Sequence, residues 1–303
     1  MSQDTPANLY LVDGSAYIFR AYHALPPLTR KRDGLPIGAV SGFCNMLYKL
    51  IEDARADAAV DYFAVILDAA RVTFRNDIYP EYKAHRPPAP EDLVPQFPLI
   101  REASRAFGLP TIEMPGFEAD DVIATYARIA REAGVHVTIV SSDKDLMQLV
   151  GGGVEMLDPM KQRRIGPDEV VEKFGVGPDK VIEVQALCGD ATDNVPGVPG
   201  IGIKTAAQLI EQYGNLENLL AHVDEIKQPK RRQNLEEHAE LARISKQLVT
   251  LKQDVPLELD IEDLRLSDTD PEELFVFLQD MELARLSTRI RGKQDDAAAL
   301  AGG

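Results

Sequence analysis

Short apolar runs that close on an aspartate, set between stretches of helical period, constrain this chain more than any other feature. Asn8–Val12, Tyr62–Leu67 and His136–Val140 are short runs with little polar alternation. Runs of this kind read as strands buried on both faces. Between the first two, Val40, Phe43, Leu47, Leu50 and Ile51 recur at helical spacing, and Ala119–Ala133 reads as a helix stopped by Gly134. The alternation predicts an α/β fold: a mostly parallel sheet flanked by helices, with right-handed crossovers. In such sheets, sites form outside the carboxyl ends of the strands. Asp13, Asp68 and Asp143 stand at those ends.

Six more acids join them. They are Glu118, Asp120 and Asp121 in GFEADDV, Asp145 in SSDKD, and Asp190 and Asp193 in GDATDN. Each small group has an ordinary explanation. Asp120 and Asp121 suit the first turn of a helix, Asp143 and Asp145 suit a helix cap, and Asp190 and Asp193 suit a turn. As a set directed to one sheet edge, they would repel one another strongly. Divalent cations offset such repulsion, and oxygen-only ligands suit Mg²⁺ or Mn²⁺. Two such ions ~3.5–4 Å apart are a standard device for phosphodiester cleavage.

The 303 residues, 45% hydrophobic, allow one large domain or a core with a smaller partner. The opening MSQDTPANLY lacks a secretory pattern, and no apolar stretch approaches the ~20 residues of a membrane span. A cytoplasmic protein, away from membranes, is expected. Cys44 and Cys188 have no metal-ligand spacing and read as reduced, buried thiols. The net charge of −16 speaks against nucleic acid as a partner. Local potential matters more than net charge, however, and the basic residues cluster: Arg30–Arg32, Lys83 with Arg86, Lys161 with Arg163 and Arg164, and Lys230–Arg232.

Residues 71–98 are basic and aromatic, then proline-rich, and are long for a plain connection. Asp145–Leu149 reads as a short helix and Val154–Leu157 as an edge strand. After Gly166 the pattern is helical: Pro167–Phe174, Pro178–Cys188, Lys204–Tyr213, Gln233–Leu251 and Pro271 to about Leu283. The tail KQDDAAALAGG reads as a linker.

Two constellations could touch nucleic acid. GVPGIGIKTA joins two helices without the pattern of a nucleotide loop. Read functionally, Gly197, Gly200 and Gly202 expose amides to phosphate, Lys204 and Thr205 open the next helix, and the backbone carbonyls are candidates to hold K⁺. Read plainly, it is a tight helix–helix turn. Arg75, Tyr82, Lys83 and Arg86 interleave cations with aromatics, which suits stacking and phosphate contact or a solvated basic helix. Lys83 and Arg86, at i, i+3, would share a helical face and act as electrophilic stabilisers. Arg20 and Tyr22 follow Asp13 and could serve similarly, while Tyr22 also reads as a core residue. His85 reads as flanking.

The strings LVDGSAYIFRAYHA, TFRNDIYPEYKAHRPP, GFEADDVIATYA, SSDKDLMQL and GDATDNVPGVPGIGIKTA closely resemble the N-terminal 5′-nuclease domain of bacterial DNA polymerase I, in the flap endonuclease superfamily. The resemblance runs from about Leu9 to Leu286. It implies a PIN-like nuclease core over residues 1–175, with a helical arch at about 71–98. It also implies a helix–hairpin–helix subdomain gripping duplex DNA (176–260), a C-terminal helical segment (261–290) and the linker-like tail (291–303). It implies that Asp13, Asp68, Glu118 and Asp120 surround a first metal ion. Asp143, Asp145, Asp190 and Asp193 would surround a second, with Asp121 beside both. Lys83 and Arg86 would be the catalytic cations. Phe19 stands where many relatives carry tyrosine, so stacking is kept and a hydroxyl contact is lost.

The function so implied is a metal-dependent 5′→3′ exonuclease and 5′-flap endonuclease that leaves 5′-phosphates. It would remove RNA primers and flaps as a monomer near the nucleoid, with a polymerase in cis or separate. Neutralising Asp121 or Asp145 is expected to stop cleavage with the fold intact. A PIN-like ribonuclease and a silent DNA-junction binder are the rivals. The first needs neither hairpin nor arch, and the second need not keep every acid.

Overall fold

The computed structural model describes residues 6–57, 60–267 and 270–301. Six strands form one sheet in the order β3-β2-β1-β4-β5-β6. They are β1 (Asn8–Asp13), β2 (Tyr62–Ile66), β3 (Thr111–Ile112), β4 (His136–Val140), β5 (Val154–Asp158) and β6 (Arg163–Ile165). β2 runs parallel to β3 and β4 parallel to β5, while β5 and β6 are antiparallel. β2 is buried throughout, and β1 and β4 are buried after their first residues. Strands buried at successive residues are covered on both faces, which is why these runs do not alternate. The segment at Val154, expected at the sheet's edge, is interior because β6 adds outside it. Of β6 only Ile165 is buried, so no apolar run announces it.

The helices are α1 (Gly14–Ala24), α2 (Gly38–Asp57), α3 (Phe74–Ile78), α4 (Gln96–Ala106), α5 (Ala119–Glu132), α6 (Pro167–Phe174), α7 (Val181–Cys188), α8 (Ile203–Tyr213), α9 (Leu216–Ala221), α10 (Pro229–Glu237), α11 (Ala239–Val249), α12 (Pro271–Asp280) and α13 (Ala284–Ala301). The expected helix Gln233–Leu251 is two helices, broken at His238 (φ −114°, ψ 19°) with no glycine or proline to mark the break. Lys144–Leu149 is 3-10 rather than α-helical. The tail expected as a linker is helical to Ala301, where alanine's high helix propensity favours that state.

Contacts divide the chain into two compact units. One holds the chain to Leu11, Asp68–Pro87 and Glu113–Glu258; the other holds Val12–Leu67, Pro88–Ile112 and the chain from Leu259. In the second unit, Asp13 Oδ1 accepts from Ala16 N at 3.0 Å and caps α1. A Cβ on Gly14 would lie 2.6 Å from Leu67 Cδ2, so the residue after Asp13 must be glycine for α1 to leave the strand so closely. Arg30, expected in a basic surface cluster, is instead buried. It pairs with Asp33 at 2.6 Å and Asp280 at 2.9 Å.

Residues 71–98 depart from a helical arch; those up to Pro87 belong to the first unit and the rest to the second. Only α3 is helical before Pro87. Beyond it come turns, closed by Tyr82 N to Tyr79 O, Ala84 N to Glu81 O and Arg86 N to Lys83 O. Lys83 has φ +53°, which no α-helix contains. Lys83 and Arg86 therefore share no helical face. Pro80 and the Pro87–Pro88 pair bracket a stretch too short to propagate a helix.

Candidate active site

The loop before α5 sets one side of the site. Glu118 is the N-cap of α5, and Asp121 bonds back to Glu118 N at 3.0 Å in a capping box. Asp121 is fully buried. Arg75 of α3, 1% exposed, holds it with two bonds of 2.7 and 2.8 Å, and Lys252 N adds a fourth at 2.8 Å. Each Asp121 oxygen thus accepts two hydrogen bonds, and a carboxylate offers about four lone-pair positions. Asp121 has no position left for a metal, which corrects its assignment beside two ions. Arg75 also donates to Leu248 O and Thr250 O at 2.7 and 3.3 Å. It ties α3 and α5 to the end of α11 and is not a surface DNA contact.

Tyr82, expected to meet DNA, is 5% exposed and packs with Val195, Leu248 and Val249. Its hydroxyl donates to Glu118 Oε2 at 3.2 Å, and burial with the Glu118 charge pushes its pKa up. Beside it, Lys83 Nζ donates to Glu118 Oε1 at 2.8 Å and stands 3.5 Å from Asp193 Oδ2. The Lys83 backbone N–H donates to Asp193 O at 2.9 Å. Burial works against the ammonium, but Glu118, Tyr82 and Asp193 outweigh it and raise the Lys83 pKa. Arg86 pairs with Asp193 through Nη2.

The loop after β4 forms a second group. Asp143 Oδ1 accepts from Asp145 N at 2.9 Å. Lys144 Nζ pairs with Asp190 Oδ2. Gln185 Nε2 of α7 donates to Asp145 Oδ1 at 2.5 Å, while Gln185 Oε1 is buried without a partner. Burial first, then the Asp143 charge, pushes the Asp145 pKa up to about 7, with Asp193 adding to the rise. Asp68 is exposed and accepts from Ala119 N at 2.8 Å, tying the strand-end loop to the start of α5. Asp120 is half-buried in the first turn of α5. Sequence reasoning missed Lys144 and Gln185. Lys144 had a signal, being the centre of DKD; Gln185, inside α7, had none.

The first unit thus gathers Asp68, Glu118, Asp120, Asp143, Asp145, Asp190 and Asp193 with Lys83, Arg86 and Lys144. Asp13, Phe19, Arg20 and Tyr22 belong to the second unit. Asp13 closes β1, Phe19 is 44% exposed, Arg20 is half-buried, and Tyr22 donates to Asp92 at 2.8 Å. Among the described residues, no three histidines, cysteines, aspartates or glutamates stand close enough to form a metal cluster. Lys83 pairs with Glu118 and Asp193, Arg86 with Asp193, and Lys144 with Asp190. The donor chemistry still fits a hard divalent ion: the ligands are carboxylate oxygens, Asp143 and Asp145 crowd charge, and Gln185 Oε1 is an orphaned acceptor beside them. Asp121 does not fit.

The glycine turn joins α7 to α8 as expected. Gly189 and Gly197 back onto each other: a Cβ on Gly197, at φ +59°, would lie 2.5 Å from Gly189 N. Gly197 N also donates to the buried Ser245 Oγ at 2.8 Å. Gly200 has φ +77°. Gly202 has φ −91° as the N-cap of α8, with nothing within 4 Å of a built Cβ. Lys204 is exposed and Thr205 half-buried in the first turn of α8. Gly197→Ala should therefore cost about 2–4 kcal/mol, combining left-handed strain with overpacking. Gly202→Ala should stay within about 0.5 kcal/mol. Urea unfolding of both variants checks this, and equal losses would contradict the geometry.

Cys44 is buried and Cys188 half-buried, both as free thiols. Among the described residues no helix is long and apolar enough to cross a membrane.

A mostly parallel sheet with acids at its strand ends, and lysine and arginine among them, defines the class of metal-dependent nucleases. The family described as "5'-3' exonuclease, N-terminal resolvase-like domain" matches residues 8–175, and "5'-3' exonuclease, C-terminal SAM fold" matches 176–272. The chain belongs to the 5′-3′ exonuclease family. It is 58% identical over 297 residues to a DNA polymerase I of Rhizobium leguminosarum, covering 97% of this chain and 29% of that protein. It is 40% identical to a 5'-3' exonuclease of Aquifex aeolicus, covering 92% and 93%. The chain thus spans under a third of the Rhizobium polymerase and nearly all of the Aquifex exonuclease. Among solved structures, T5 5′-exonuclease with bound zinc is similar at a TM-score of 0.67 and 26% identity, over 80% of this chain and 89% of that one.

Proposed function

We propose that this chain is a structure-specific 5′→3′ exonuclease and 5′-flap endonuclease. It hydrolyses phosphodiesters near a 5′ end, giving a 5′-phosphate and a 3′-hydroxyl. The observation that carries the reading is Lys83 held between Glu118 and Asp193, with Arg86 on the same aspartate, in a chain whose family is that of the 5′-3′ exonucleases.

Within the first unit, Asp68, Glu118 and Asp120 are the proposed oxygen donors of one ion, and Asp143, Asp145, Asp190 and Asp193 those of a second. Mg²⁺ or Mn²⁺ suits them. When bound, such ions supply an activated water and charge for the leaving oxygen. Lys83 donates to a non-bridging oxygen of the scissile phosphate as negative charge grows there. Arg86, with 44% of its side chain exposed, reaches from Asp193 toward the strand. Phe19, Arg20 and Tyr22 of α1 are the proposed contacts for the unpaired strand. Gly197, Gly200, Gly202, Lys204 and Thr205 form the duplex grip, where the Gly202–Lys204 amides at the start of α8 suit phosphate and the turn's carbonyls suit K⁺. The substrates are DNA flaps, nicks and RNA primers in replication and repair. The partner is a polymerase in cis or separate, and the working form is a monomer at the nucleoid in the cytoplasm.

A labelled 5′-flap duplex, with Mg²⁺ and then with chelator, tests this. Cleavage near the junction in Mg²⁺ only, leaving 5′-phosphates, is expected. Binding without cleavage would favour a junction binder. Cleavage confined to RNA would favour a ribonuclease.

A further inference from the structure

We propose that Lys144 is a built-in counter-ion that a divalent metal must displace from Asp190, so that it weakens metal binding while holding the metal-free site together. The inference rests on the metal reading of the acids above.

Lys144 lies inside the acid motif, between Asp143 and Asp145, in a 3-10 turn whose geometry Asp143 fixes by accepting from Asp145 N. Its Nζ donates to Asp190 Oδ2, 46 residues along the chain. The Asp190 side chain is only 8% exposed, and its Oδ1 accepts from Thr192 N at 2.8 Å. Lys144 thus stands between Asp143 and Asp145 in the chain and bonds a third acid, Asp190. The remaining negative charge invites a cation, but Asp190 Oδ2 is already bonded to Nζ.

An ammonium and a divalent ion repel at such range. The Lys144 side chain is 30% exposed on a flexible four-carbon stem, so it can swing outward when the ion enters. Entry then requires breaking the Lys144–Asp190 pair, and that requirement appears as lost affinity. Lys83 and Arg86 also cover acids, but they come from the segment beyond α3. Lys144 belongs to the ligand loop itself, so its exchange links ion entry to the coupling of the β4 loop with the loop after α7.

The test uses the full chain, with Mn²⁺ as probe, its affinity read by electron paramagnetic resonance and melting followed in chelator. Lys144→Met keeps length without charge. It should bind Mn²⁺ roughly three- to tenfold more tightly, and its metal-free Tm should fall by about 2–4 °C. Lys144→Arg can grip Asp190 with two bonds. It should bind Mn²⁺ several-fold more weakly with no loss of metal-free Tm. Unchanged or weaker Mn²⁺ binding by Lys144→Met overturns the proposal. Should that variant fail to fold, Lys144→Arg decides alone, and wild-type affinity there overturns it. Wild-type protein that takes up no Mn²⁺ would overturn the metal reading itself, and this inference with it.

Discussion

Asp121→Asn is expected to lose about 3–5 kcal/mol of stability, because it strips half of a fully buried ion pair and strands the other half. Asparagine keeps the volume, so no cavity arises. Yet its amide nitrogen can accept nothing from Arg75, and the guanidinium, 1% exposed, keeps only Glu118 at 3.6 Å as counter-charge. Lys252 N and Glu118 N also donate to this carboxylate, so the capping box of α5 weakens at the same time. A Tm drop of roughly 6–15 °C follows. Arg75→Met should lose a similar amount. The double variant Arg75→Met with Asp121→Leu should recover much of it, since a buried pair replaced by apolar groups is often close to neutral. Thermal melts of the three variants in chelator check this. A stable Asp121→Asn protein that has lost only cleavage would restore Asp121 as a metal ligand.

That reversal shows where sequence stops informing. The acid positions were legible because each follows an apolar run or opens a helix. Their partners were not, because pairing is decided by residues far along the chain: Arg75 reaches Asp121 across 46 residues, and Leu248 and Thr250 across 173 and 175. A sequence shows Arg75 between Phe74 and Asn76 and cannot show that it is buried. Punctuated elements were read closely. β4 matched at both ends after Gly134, and α6 matched with Pro167 at its start and Gly175 in the left-handed region at its end. Unpunctuated features failed, such as the break at His238 and the charged strand β6. The stretch around Lys83 failed for another reason. Aromatic and basic residues at i, i+3 suggested a helix, but prolines bracket the segment. The bonds from Lys83 N to Asp193 O and from Asn76 Nδ2 to Tyr82 O then fix it as turns.

Lys83→Ala is expected to lower the single-turnover rate on a 5′-flap duplex by about 10²–10³-fold. The dissociation constant should change by less than about threefold. The ammonium is already placed among the acids: 2.8 Å from Glu118 Oε1, 3.5 Å from Asp193 Oδ2, and 5.0 Å from the centroid of the Tyr82 ring. An ammonium on Glu118 and Asp193 contributes little to the initial grip on DNA, whose charge lies along the whole backbone. It gains most when charge accumulates on one phosphate in the transition state. The backbone supports this placement, since Lys83 is held at φ +53° by its own bond to Asp193 O, a strained conformation that sets the direction of the side chain. Lys83→Arg should recover part of the rate, because charge survives while shape does not. Circular dichroism separates this from a structural loss, as removing Lys83 also leaves Glu118 and Asp193 closer to unbalanced. A variant that binds flap DNA far more weakly, yet cleaves at the wild-type rate once saturated, would make Lys83 a DNA-positioning residue and remove it from the chemistry.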